Sequence, residues 1–106
     1  NDVAESRGIE QALGHHSRRV TVSSIKSMVG HCLGAAGVVE AIASIQALRT
    51  GWGPPTIHYE NPDDDCPLDY VPNRARQTHP RTALTTNFAF GGNNAALVLG
   101  RWEEAQ

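Results

Sequence analysis

His31 opens a run of small and apolar residues, Gly30-His31-Cys32-Leu33-Gly34-Ala35-Ala36-Gly37, with Lys26 five residues before it. A helix N-terminus and a nearby ammonium both disfavour an imidazolium, so a histidine in this setting stays neutral and can donate one N–H to a developing oxyanion. A capping or packed side chain is the alternative reading of the same residue. Glu40 interrupts the apolar stretch Val38-Val39-Glu40-Ala41-Ile42. If buried, it needs a cation partner such as Lys26; on a solvated helix face it needs none. Phe88-Ala89-Phe90-Gly91-Gly92-Asn93-Asn94 sets aromatic residues against a glycine pair. Exposed backbone N–H groups there could hold an oxyanion, although a hairpin turn accounts for the glycines equally well.

Other chemistries lack their residues. No G-x-x-x-x-G-K-[ST] or G-x-G-x-x-G run is present, so nucleotide binding has no support. His15, His16, His31, His58 and His79 lack zinc spacing, and Asp63-Asp64-Asp65 is consecutive where a calcium loop alternates its ligands. We therefore expect no cofactor and no metal. Cys32 follows His31 directly, and neighbouring residues on a helix point apart, which argues against a thiol–imidazole nucleophile. With nine basic and eleven acidic side chains the net charge is -2, which leaves no basic footprint for nucleic acid or an anionic membrane. The longest apolar stretch, about residues 33 to 48, is broken by Glu40, Ser44 and Gln46 and falls short of a bilayer span. Two cysteines in unlike surroundings make no disulfide framework, which fits a reducing, cytoplasmic setting.

The 106 residues, 40% hydrophobic and 19% charged, suit one modest globular domain. Asp2 to Leu13, with Asp2 and Glu5 at its acidic start and Gly14 after it, reads as a helix; acids there simply favour the helix dipole. Val20-Thr21-Val22 reads as a short strand. Gly30 to Thr50 is apolar on nearly every face, ends at Gly51, and predicts a buried helix. The small residues Gly34 to Gly37 suggest that another backbone or a ligand comes close to its start. Four prolines between Gly51 and Pro67 predict a loop, and Tyr70-Val71-Pro72 an edge strand. Arg81 to Phe90 and Asn94 to Trp102 read as two strands joined through Gly91-Gly92 in a tight hairpin. The sum is an α/β layer arrangement without a complete sheet of its own.

Taken together, Ser24-Ile25-Lys26-Ser27-Met28-Val29-Gly30-His31-Cys32-Leu33-Gly34-Ala35-Ala36-Gly37 and Phe88 to Asn94 resemble the elongating β-ketoacyl-acyl carrier protein synthases of fatty acid and polyketide synthesis. Pro54-Pro55-Thr56-Ile57, Glu60-Asn61-Pro62-Asp63 and Leu68-Asp69-Tyr70-Val71-Pro72 are similar to segments of that family between the two motifs, so the likeness spans the chain. It implies the C-terminal part of a thiolase-like layered α/β/α fold, with residues 1–106 as the C-terminal portion of the synthase's C-terminal domain. The nucleophilic cysteine and first histidine would then lie upstream of Asn1.

The reaction implied is decarboxylative Claisen condensation of acyl and malonyl thioesters. An acyl group passes from acyl carrier protein to the upstream cysteine; malonyl-acyl carrier protein is decarboxylated; the carbanion attacks the acyl thioester. By resemblance His31 is the second histidine, which stabilises the enolate oxygen. Lys26 is the lysine held near it, with Asp2, Glu5 and Glu40 at the matching acidic positions. Phe90 gives its backbone N–H to an oxyanion hole and its ring to a gate, supported by Phe88, Gly91 and Gly92. Ala89 and Asn93 stand where the family has glycine and threonine, and a methyl group at position 89 restricts positive φ. The resemblance also implies a homodimer or related heterodimer. The alternatives are a ketosynthase subunit of a polyketide system or its non-catalytic, chain-length-setting partner. His31 and Lys26 argue against the last.

Overall fold

The computed structural model describes residues 1–103. Helix α1 spans Asp2–Leu13, with Asp2 and Glu5 in its first turn, and stops at Gly14, whose φ of 53° only glycine adopts freely. A 3-10 turn, Gly14–Arg19, follows. The expected strand at Val20-Thr21-Val22 is reduced to one parallel bridge from Thr21 to Asp69, with the Val22 N–H donating to the Asp69 carbonyl at 2.8 Å. The expected edge strand at Tyr70-Val71-Pro72 is likewise a single parallel bridge, Thr56 to Pro72. Both runs have strand-forming residues; what they lack is a longer neighbour to pair with, and β propensity acts only through such pairing.

A four-residue helix that the periodicity did not reveal, α2 (Lys26–Val29), comes next and ends at Gly30, φ 75°. The helix expected from Gly30 starts later. A 3-10 turn covers Leu33–Ala35, and helix α3 runs Ala36–Thr50. The left-handed backbone at Gly30 and at Leu33 (φ 48°) breaks the helical path that composition alone favours. Nor is α3 wholly buried. Ala36 and Leu48 are buried, while Val38, Ile42 and Ile45 are exposed, Val38 to 65%. Crowding at its start is confined to Ala36 and to Gly37, where a Cβ would touch the Asn87 side chain at 3.6 Å; around Gly34 there is open space.

Helix α3 ends at Gly51 in the left-handed region, φ 79°, its N–H bonded to the Ala47 carbonyl at 2.9 Å. The N–H groups of Thr78 and His79 both donate to the Gly51 carbonyl, at 2.9 and 3.0 Å, and a Cβ there would meet His79 Nδ1 at 2.8 Å. Glycine is required twice over, by φ and by space. This junction also pairs β1 (Trp52–Gly53) antiparallel with β2 (Arg76–Gln77), a two-residue ladder whose first strand lies inside the expected loop and whose second lies beyond it.

Strands β3 (Thr82–Phe88) and β4 (Asn94–Gly100) form the expected antiparallel hairpin, in register from Thr82↔Gly100 to Phe88↔Asn94. Its connection is five residues, Ala89 to Asn93. Alternation sends Asn87 toward α3 and Thr86 to the opposite face, where its hydroxyl donates to Glu5 of α1 at 3.1 Å. Buried apolar residues outside α3 are Leu68 and Val71. Buried Ser6 bonds the Tyr70 hydroxyl at 2.6 Å, and burial pushes that phenol above its ordinary range. Among the described residues no helix is long and apolar enough to cross a membrane.

Candidate active site

The segment carrying Lys26 and His31 is fastened through two small hydroxyl residues. The Ser24 N–H donates to Thr56 Oγ1 at 3.1 Å. Ser27 Oγ donates to the Ser24 carbonyl at 2.9 Å and accepts from the Ile57 N–H at 3.0 Å. Thr56 in turn donates its N–H to the Val71 carbonyl and accepts from the Asn73 N–H, at 3.0 and 2.9 Å. A four-residue helix cannot hold itself, since nucleation fixes more dihedrals than its few bonds repay. These ties to the 56–57 segment hold it. The roles of Ser27 and Thr56 were not read from the sequence, because nothing in their spacing marks a long-range hydrogen bond.

From α2, Lys26 Nζ forms an ion pair with Glu40 Oε1 on α3, side chains 35% and 13% exposed. The pair expected from an acid inside an apolar helix is present, more deeply buried on the glutamate side. Glu40 Oε2 is buried with no hydrogen-bond partner among the described residues. The two other acids do not join it. Glu5 is engaged by Thr86, and the Asp2 carboxylate makes no hydrogen bond or ion pair among the described residues, its carbonyl instead accepting from Ser6 Oγ at 2.7 Å.

His31 is not at the N-terminus of a long helix. It lies in the non-helical link between Gly30 and the 3-10 turn, five residues ahead of Ala36, so the α3 dipole does not act on it directly. Its orientation has another source. The Leu33 N–H donates to His31 Nδ1 at 3.0 Å. A neutral imidazole has one acceptor and one donor nitrogen; with Nδ1 accepting, the proton sits on Nε2. The ring is exposed, leaving that N–H open to a ligand. Cys32 is half-buried and shares the lining of the Lys26–Glu40 cleft with Val29 and Val39.

In the hairpin connection the Ala89 N–H bonds the Asn93 carbonyl at 2.9 Å and the Gly92 N–H bonds the Ala89 carbonyl at 3.2 Å. The backbone N–H of Phe90 has no partner among the described residues, and its ring is fully exposed, with Phe88 half-exposed. The left-handed positions are Gly91 (φ 83°) and Gly92 (φ 81°), not Ala89. The extra methyl therefore sits where an L-residue is at ease, and its restriction of positive φ constrains nothing in this backbone.

Comparison with known proteins gives these features a context. The family described as "Beta-ketoacyl synthase, C-terminal domain" matches residues 1–60. The chain is 48% identical over 103 residues, 97% of its length, to the 3-oxoacyl-[acyl-carrier-protein] synthase 2 of Synechocystis sp.. It is 46% identical over its full 106 residues to the tetracenomycin polyketide synthase ketoacyl synthase alpha subunit of Streptomyces glaucescens. It spans about a quarter of the length of each, 25% in both cases. Among solved structures, the ishigamide ketosynthase/chain length factor superposes on 97% of this chain and 25% of its own, with a TM-score of 0.91 and 43% identity. AntDE:AntF, a type II polyketide synthase acyl-carrier protein in complex with its ketosynthase bound to the hexaketide, superposes on 93% of this chain and 24% of its own, with a TM-score of 0.90 and 35% identity. The expected fold class, α/β and the C-terminal part of a thiolase-like layered fold, is borne out by these likenesses. The chain belongs to the β-ketoacyl synthase family, its residues 1–60 matching that family's C-terminal domain.

Proposed function

We propose that this chain is the C-terminal portion of a β-ketoacyl-acyl carrier protein synthase and supplies half of a decarboxylative Claisen active site, the other half coming from residues upstream of Asn1. The observation that carries the reading is the Leu33 N–H on His31 Nδ1, which leaves Nε2–H as an outward donor in an exposed ring. When the malonyl carboxylate leaves as carbon dioxide, its C–C bonding pair becomes an enolate, and the thioester oxygen gains negative charge. A donor fixed before the reaction stabilises that oxygen without reorganisation. The enolate carbon then attacks the acyl thioester on the upstream cysteine. The new oxyanion takes the unpartnered Phe90 N–H, then collapses and expels the cysteine thiolate.

Lys26, neutralised by Glu40, ties α2 to α3 and holds the His31 link in place. Asp2 and Glu5 sit further out, at the start of α1. Phe88, Gly91 and Gly92 shape the turn that presents Phe90. The carbonyl substrates arrive on acyl carrier protein; the complete synthase is a cytoplasmic homodimer or a related heterodimer, and neither nucleic acid nor membrane takes part. Likeness to a polyketide ketoacyl synthase alpha subunit at 46%, beside 48% to a 3-oxoacyl synthase, favours a second reading as the ketosynthase subunit of a polyketide system. His31 and Lys26 weigh against a non-catalytic partner, which has no chemical use for them.

The test is His31→Ala in the complete synthase, following acyl-enzyme by mass spectrometry and carbon dioxide release from malonyl-acyl carrier protein. Acylation persists, and carbon dioxide release falls by about 10²–10³, the usual cost of one preorganised donor. Near wild-type release contradicts the assignment, and loss of acylation moves His31 to the first half-reaction.

A further inference from the structure

We infer that Ser6 and Tyr70 are positioning residues, a hydroxyl pair through which helix α1 sets the placing of the His31 donor relative to the Phe90 N–H. The inference deepens the proposed function and rests on it. Ser6 is 2% exposed and is the one buried residue of α1, at a place where a surface helix ordinarily puts an apolar side chain. Serine there carries two costs, a weaker helix preference than alanine and a hydroxyl held out of water. Both hydrogen-bonding directions of that hydroxyl are used. It has one proton, which Ser6 Oγ gives to the Asp2 carbonyl at 2.7 Å, so the 2.6 Å bond to Tyr70 is donated by the phenol. The Tyr70 ring is stacked on Tyr59, centroids 6.3 Å apart, and its O–H therefore arrives from a fixed direction.

What the pair joins gives it a task. Tyr70 belongs to the segment that holds α2: the next carbonyl, Val71, accepts the Thr56 N–H at 3.0 Å, Thr56 Oγ1 accepts the Ser24 N–H, and the Ile57 N–H meets Ser27 Oγ. Glu5, the neighbour of Ser6, accepts the Thr86 hydroxyl at 3.1 Å on β3, the strand that runs through Phe88 into the Phe90 turn. Neighbouring helix residues point apart, so one turn of α1 grips both regions that carry a donor. The next residue, Arg7, meets Asp65 at 3.6 Å, but both side chains are exposed and such a pair fixes little. Condensation is the step that needs both donors at once. The enolate formed at His31 has to reach the acyl carbon whose oxygen the Phe90 N–H takes, and a misplacement of about 1 Å between reacting groups costs about 10²-fold. Acylation does not use His31, and decarboxylation does not use Phe90. A slack brace therefore lets carbon dioxide leave but strands the enolate, which takes a proton from water and departs as the acetyl thioester.

The test uses Tyr70→Phe, Ser6→Ala and the double variant in the complete synthase, with acyl-enzyme, carbon dioxide and β-ketoacyl product measured over a single turnover. Each single variant acylates and releases carbon dioxide within about twofold of wild type, while product per carbon dioxide falls about tenfold and acetyl-acyl carrier protein makes up the difference. The double variant strands neither hydroxyl, so its denaturant melt returns toward wild type. Its product ratio stays low, because the bond that fixes α1 against residues 56–71 is still missing. A purely structural role gives a different pattern, in which acylation, carbon dioxide release and product fall together with the folded fraction and recover together in the double variant. That pattern overturns the inference, and so does a wild-type product ratio in either single variant. If Ser6→Ala does not fold, Tyr70→Phe, which removes one oxygen and keeps the ring, decides alone. His31→Ala run in parallel separates the two levels: near wild-type carbon dioxide release there defeats the proposed function, whereas an impaired His31→Ala beside a fully coupled Tyr70→Phe defeats only this inference.

Discussion

Residues 24–40 and residues 88–94 both present an N–H donor, but they are held differently. The first stretch is tied outward, by Ser24 to Thr56, by Ser27 to Ile57 and by Lys26 to Glu40. Among the described residues the second is tied only to itself, through Ala89 with Asn93 and Gly92 with Ala89. A side-chain donor on a rotatable bond needs its backbone fixed from outside before its proton points anywhere in particular. A backbone donor needs only the turn that contains it, and this leaves the Phe90 ring fully exposed. The contrast teaches that the two donors tolerate damage unequally: the first is sensitive to substitutions well away from it, the second chiefly to its own turn.

The largest stability effect that sharpens this contrast comes from the ion pair. Removing one member of a fully buried pair costs roughly 3–5 kcal/mol, and because Lys26 is about one-third exposed, we expect about 1–3 kcal/mol for Lys26→Met or Glu40→Gln. Denaturant melts of the complete synthase measure this, and the double variant should lose less than the sum of the singles. Two singles that each melt like wild type would remove the pair from the account. Next is Ser27→Ala, which leaves the Ile57 N–H and the Ser24 carbonyl without their hydroxyl partner and should cost about 1 kcal/mol. An unchanged melt would mean α2 is held by something else.

The gentlest probe is amide hydrogen exchange, which reads the two stretches side by side. The Gly30 and Ile57 amides, both bonded, should exchange at least about tenfold more slowly than those of Phe90 and Gly91, which have no partner among the described residues. Equal protection in the two stretches would erase the distinction.

Much of this was legible in the sequence, for identifiable reasons. The β3–β4 hairpin carries its signal in alternating side chains and a glycine pair, and it formed in the expected place. Helix α1 announced both ends, through its acids and Gly14. The first turns assigned to the second long helix were wrong because composition between Gly30 and Ala35 favours a helix, whereas the left-handed backbone at Gly30 and Leu33 is a tertiary outcome that no residue type there requires. The isolated bridges at Thr21 and Thr56 depend on partners 48 and 16 residues away, beyond any local pattern. In the site, Glu40 was visible as a charge out of place, and Lys26 as the cation it needs if buried; the burial that decides between pairing and a solvated face shows only in the structure. Grouping Asp2 and Glu5 with that pair came from resemblance, and here Glu5 bonds Thr86 instead. The donor to His31 Nδ1 was not foreseeable, since a backbone N–H leaves no mark in a sequence.

The central claim is that His31 acts through Nε2–H, and the measurement closest to it compares His31→Gln with His31→Asn in the complete synthase. The amide nitrogen of glutamine can reach the place of Nε2, whereas that of asparagine stands nearer the place of Nδ1, the position already facing the Leu33 N–H. Carbon dioxide release from malonyl-acyl carrier protein, normalised to acyl-enzyme, should be at least about tenfold faster for glutamine, since one preorganised donor is worth about 10²–10³ and a flexible amide recovers part of it. Asparagine equal to or faster than glutamine would contradict the assignment of the proton to Nε2.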